Sequence, residues 1–171
     1  MLKPIAPLSP IAGTARQIIL WVALVLFATT TTSNASGKIG YGSRAGMTVS
    51  VVSMSGLDTA RAVIHTKHTQ EDAESYCREY VLKVTPECIR SELEIPLNDV
   101  IAANCNSGEF IDFRGNHFRF LGPNPNKNGM VEYVIKNVST GDVADGSSAS
   151  GYPVNIEIFK ALCPLTVIRA R

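Results

Sequence analysis

The sequence predicts an α+β domain: an antiparallel sheet of about five to six strands with β-hairpins, packed by two or three helices and stapled by disulfides. Three observations carry this. Alternating apolar segments separated by turn residues recur between positions 47 and 138, the pattern of hairpin-connected strands. Stretches with helical spacing and capping residues begin near Thr69, Thr85 and Pro153, so helices interrupt and follow the strands. All 4 cysteines, Cys77, Cys88, Cys105 and Cys163, lie in the same region. An even number of cysteines in an exported chain reads as a disulfide framework.

Residues 36–46 are rich in Gly and Ser and read as a flexible lead-in to a single domain over 47–164. Residues 47–54 alternate as a strand, 55–58 turn, and 60–67 return with β-branched Val63 and Ile64 at the centre. Thr69 caps a helix, and Asp72 three residues on completes a weak form of the capping box. Ala73, Tyr76, Cys77, Tyr80 and Val81 follow the spacing of one buried helical face. Glu74 and Arg78 are placed for an i,i+4 ion pair. Thr85 caps a second helix with Pro86 at its first position, and Pro96 ends that segment.

Residues 99–105 form a strand and 106–108 a turn. The run 110–121 is the clearest hairpin in the chain. A two-residue turn at Gly115-Asn116 sets Phe113 opposite Phe118 and Asp112 opposite Arg119. That register collects Ile111, Phe113, Phe118 and Phe120 on one face and Asp112, Arg114, His117 and Arg119 on the other. Residues 123–128 loop, 131–138 form a strand, 139–142 turn, and 146–151 form a small-residue loop. Pro153 opens a last helix that runs to Cys163 and buries Ile158, Phe159 and Leu162. Pro164 stops it, and 165–171 are a C-terminal tail. Four cysteines allow three pairings. Cys77–Cys88 closes a short loop across the bend between the first two helices. Cys105–Cys163 staples the last helix to a strand. Each bridge adds about 2–4 kcal/mol, largely by restricting the unfolded chain.

The N-terminus sets the compartment. Lys3 and Arg16 are the charged residues ahead of an unbroken apolar run over 18–28, and Ser33-Asn34-Ala35 offers small residues for cleavage. Residues 1–35 therefore read as a signal peptide, and the protein as periplasmic or secreted. The run is shorter than the about 20 residues that cross a bilayer, so no membrane span is expected in the mature form. The alternative is an uncleaved anchor, with the run extended through Thr29 to Thr32. Composition adds little: 45% hydrophobic, 18% charged, net charge +1. This excludes a bulk basic footprint for nucleic acid and a polybasic segment for an anionic membrane.

Several constellations tempt a chemical reading. The segment 146–151 sets serines between two glycines, but the glycines are five positions apart and it lacks the Gly-x-Ser-x-Gly spacing of a nucleophile elbow. His65 and His68 point to opposite faces if both lie on a strand, so a metal site is not expected. Asp142 and Asp145 lack the dense oxygen series of a calcium loop. Glu109 and Asp112 face opposite ways on a strand. Asn137-Val138-Ser139 fits a glycosylation sequon, which matters only in a eukaryotic secretory route. The strongest candidate is the polar hairpin face of Asp112, Arg114, His117 and Arg119, which would suit an anionic or glycan ligand. The competing reading is a solvated face with cross-strand ion pairs. No cofactor is implied.

The runs from Asn104-Cys105 to Gly122, and from Asp145 through Tyr152 to Leu162-Cys163-Pro164, resemble small exported proteins of alphaproteobacteria that form no characterised family. The resemblance spans about half the chain and implies a bacterial envelope setting; it implies no activity, ligand or site residue. The function expected from the sequence is a non-enzymatic binding or interaction module of the bacterial envelope or exterior. The alternatives are a small envelope hydrolase with scattered active-site residues, and a membrane-tethered structural protein if the signal segment stays attached.

Overall fold

The structure is a computed structural model that describes residues 37–126, 131–144, 146 and 151–170. All of these belong to one unit, Thr31–Arg171. The expected signal peptide and residues 145 and 147–150 of the small-residue loop lie outside the described residues.

Eight described strands form one antiparallel sheet in sequence order: β1 (Lys38–Gly40), β2 (Thr48–Ser55), β3 (Ala62–Lys67), β4 (Val100–Asn104), β5 (Glu109–Ile111), β6 (His117–Pro123), β7 (Tyr133–Asn137) and β8 (Val143–Ala144). Helices α1 (Gln70–Glu79) and α2 (Pro86–Leu93) sit between β3 and β4, and α3 (Tyr152–Leu162) and α4 (Pro164–Arg169) follow β8. The α+β class and the single antiparallel sheet agree with the sequence pattern. The strand count exceeds five to six because β1 and β8 are three- and two-residue strands, too short to show a period. β1 lies inside the stretch read as a loose lead-in. It pairs with β2 through Ile39 and Val49, and both of these are buried.

The C-terminal stretch also differs from a tail. Pro164 does not end the helical region; it takes the first position of α4, after a break at Cys163 (φ −132°, ψ 54°). Proline suits that position because its missing N–H has no intrahelical partner there. Cys163 supplies no side-chain cap to α4. Asp58 does so from a distant loop, accepting a 2.7 Å hydrogen bond from the Leu165 N–H. Its own N–H donates to the Leu162 carbonyl at 3.0 Å.

One face of the sheet and α3 make the core. Phe159 stacks on Phe120 at 4.6 Å between centroids and lies 5.3 Å from Phe110. The Tyr152 hydroxyl donates to the Tyr133 carbonyl at 2.8 Å. Along β6, Phe118 and Phe120 point inward while His117, Arg119 and Leu121 are exposed, the period-two alternation of a half-buried strand. Two bridges, Cys77–Cys88 and Cys105–Cys163, tie α1 to α2 and the end of β4 to the α3–α4 junction, with Cα separations of 6.1 and 5.5 Å.

The start of α1 is an anchor as well as a cap. Thr69 and Asp72 form the capping box. The fully buried Asp72 carboxylate also accepts from the Ser50 N–H and hydroxyl and pairs with Lys38 at 3.0 Å. α1 passes so close to Gly46 (φ 75°) that a Cβ there would lie 2.6 Å from the helix backbone. The expected buried face is narrower than the spacing implies: Ala73 and Cys77 are buried, while Tyr80 and Val81 are 46% and 44% exposed. Tyr80 instead stacks on Tyr76 beneath the Arg44 guanidinium. Glu74 accepts from Gln70 at 2.8 Å.

Candidate functional site

The hairpin between β5 and β6 decides where the sequence-derived candidates go. Its register sets Glu109 opposite Arg119, Phe110 opposite Phe118 and Ile111 opposite His117. This is three positions away from the register expected for a turn at Gly115-Asn116. The cause is Asp112. Its carboxylate accepts from the backbone N–H groups of Arg114 and Asn116, both at 2.8 Å, and from the Asn116 amide at 3.0 Å. Asp112 and Asn116 close the strands by a backbone bond, and the loop between them is Phe113-Arg114-Gly115, with Gly115 at φ 78°. A three-residue loop ending in a left-handed glycine is a common alternative to the two-residue turn, and an aspartate that binds its own following backbone favours it.

An odd shift of register exchanges faces. Asp112, Arg114, His117 and Arg119 therefore do not form one polar face. His117 and Arg119 stay on the exposed side of β6, where Arg119 pairs with Glu109 across the strands. Asp112 is buried and committed to the loop, and Arg114 projects from the loop as an exposed residue. Phe113 is buried as expected, but from the loop; its carbonyl accepts from the Asn98 N–H at 2.7 Å.

Asp112 and Arg114 instead take part in a cleft of about 780 Å³. Four segments distant in sequence build it: the loop after β1, the β5–β6 loop, the β7–β8 turn and the first turns of α3. Its polar lining includes Arg114, Asn116, Asn137, Thr140, Asp142 and Asn155. The apolar lining includes Phe118, Val143, Val154 and Ile158. The turn residues hold one another in place. Asn137 accepts from the N–H groups of Ser139 and Thr140, and the Thr140 hydroxyl donates to Asp142 at 2.6 Å. Asn155 is only 6% exposed in the first turn of α3. Tyr41, from the loop after β1, also lines the cleft. Its hydroxyl is buried and has no hydrogen-bond partner among the described residues. The volume lies within the range of small-molecule sites, and apolar walls with a few placed polar groups are their usual composition.

A second, smaller depression of about 410 Å³ lies on the helical pair, lined by Ile89, Leu93 and Pro86 with Arg90, Glu94 and Gln70. Apart from Gln70 at the start of α1, its lining comes from α2 and its C-terminal cap.

The other sequence candidates are dispersed. His65 is exposed on β3, and His68 lies beyond the strand end, part-buried with its ring 5.3 Å from Tyr41. Burial holds the His68 imidazole below its usual pKa, against the opposing pull of Asp72. Among the described residues no group of three or more His, Cys, Asp or Glu side chains could hold a metal ion, and no helix is long and apolar enough to cross a membrane. Comparisons with known protein families, curated proteins and solved structures found no match to the chain.

Proposed function

We propose that this protein is an exported, disulfide-bonded binding module of the bacterial envelope or exterior, and that the cleft between the β5–β6 loop, the β7–β8 turn and α3 is its ligand site. The observation that carries this reading is the cleft itself, where hydrogen-bonding side chains from separate segments meet over an apolar floor. A non-enzymatic role is favoured by the chemistry inside it. Asp112 is tied up by three hydrogen bonds, Asp142 holds Thr140, and no histidine is among the described lining residues. His117 is outside that lining.

Export is supported by the two bridges, which persist in oxidising compartments, and by the signal-like N-terminal pattern. It is tested by intact mass of protein recovered from the extracytoplasmic fraction, alkylated with and without prior reduction. The reading expects a mass beginning near Ser36 and alkylation only after reduction; a retained N-terminus with free thiols contradicts export.

Binding is tested by a thermal-shift screen of the oxidised protein against a chemically mixed library of small metabolites. A ligand of the cleft raises the unfolding midpoint of the wild type and loses that effect in the Arg114→Gln/Asp142→Asn double variant. If no compound raises the midpoint, or if every effective compound acts equally on the variant, the cleft is not the ligand site.

A further inference from the structure

We infer that the cleft takes a neutral oligosaccharide, an assignment that rests on the cleft being the ligand site. Charge decides first. The ionised side chains among the described lining residues are Arg114, Asp112 and Asp142. Two carboxylates against one guanidinium disfavour a phosphate or a carboxylate ligand. The cationic set that would have favoured an anion is dispersed, since Arg119 is paired with Glu109 and His117 is not in the lining.

The uncharged groups decide next. Asn116, Asn137 and Asn155 bring amides, and Thr140 a hydroxyl. Amides and hydroxyls both donate and accept hydrogen bonds, as every sugar hydroxyl requires. Asp142 adds an acceptor, with one carboxylate oxygen held by Thr140. The apolar lining, in which Val143 is exposed and Phe118 and Ile158 are buried beneath the surface, offers a side for the apolar C–H face of a sugar ring. The volume of about 780 Å³ is on the scale of drug-sized molecules, which suits a short oligomer better than a single sugar.

The test is isothermal titration of the oxidised protein with neutral trisaccharides of gluco, galacto, manno and N-acetylglucosamine type. Inorganic phosphate and citrate serve as anionic counterparts. At least one trisaccharide should bind. Asp142→Asn should weaken it about tenfold, the equivalent of one charge-assisted hydrogen bond. Binding of phosphate or citrate alone, tightened by Asp142→Asn, overturns the saccharide assignment and keeps the cleft as a ligand site. Failure of both probe classes also overturns the assignment, while the cleft itself stands or falls with the library screen and its double variant.

Discussion

At the scale of single residues, two buried ionisable groups and one part-buried one govern how the domain responds to pH. Asp72 is the most committed. Burial alone pushes its carboxyl up, but hydrogen bonds from Thr69, Lys38 and Ser50 outweigh this and hold it below the usual carboxylate range. Its stabilising contribution is therefore present above the unfolded pKa near 4 and is lost as pH falls through the folded value. Asp72→Asn should cost about 2–3 kcal/mol in urea unfolding at neutral pH, because β1, β2 and α1 share its carboxylate. Glu92 behaves in the opposite sense. It is 3% exposed, one oxygen has no partner among the described residues, and burial raises its pKa. A raised carboxyl favours the folded state when protonated, so its penalty appears as pH rises. Glu92→Gln should stabilise the protein at neutral pH, by about 1 kcal/mol, and have little effect in acid. An equal gain at both pH values would show that ionisation is not the cause. His68 is held below its usual pKa, chiefly by burial. The unfolded chain takes up that proton first, so stability falls as pH drops below about 6.5. His68→Phe should flatten the stability profile between pH 7 and the lower folded value; an unchanged slope would place the titration elsewhere.

At the scale of elements, the caps and the turns carry most of the information. Asp58, in the left-handed region at φ 61°, does for α4 what an N-cap residue does for an ordinary helix. Asp58→Ala should destabilise by about 1 kcal/mol, the usual cost of a lost cap, and hydrogen-exchange protection should fall first in α4. Asp58→Asn, which keeps an acceptor and tolerates the left-handed conformation, should restore most of it. Uniform loss of protection across the sheet would argue against a local cap. The elements with local chemistry were legible in the sequence. Thr69 with Asp72, and Thr85 with Pro86, announce α1 and α2 because capping acts within three or four residues. β1, β8 and α4 were not legible: two are too short for a period, and the third depends on Asp58, more than a hundred positions away. The hairpin was half legible. Its strands alternate clearly, yet the register depends on which backbone groups the Asp112 carboxylate takes, and a two-residue turn fits the same letters.

At the scale of the whole molecule, the candidate site was legible only in part. Asp112 and Arg114 belong to it, while His117 and Arg119 fall on the open side of β6. Asn155 and Tyr41 gave no local signal and Asp142 read only as a turn residue, because a cleft assembled from four segments leaves no motif in any of them. One of the two bridges fixes segments on which that assembly depends: Cys105–Cys163 holds the end of α3 against the strand that leads into the β5–β6 hairpin. The measurement that tests the binding site most directly is amide chemical-shift mapping on isotope-labelled, oxidised protein, titrated with the best compound of the library screen. If the cleft is the site, the largest shifts fall together on Arg114, Asn116, Thr140, Asp142 and Asn155, although these residues are scattered in sequence. Shifts gathered instead on His117, Arg119 and Leu121, or on the helical pair around Ile89 and Leu93, would contradict it.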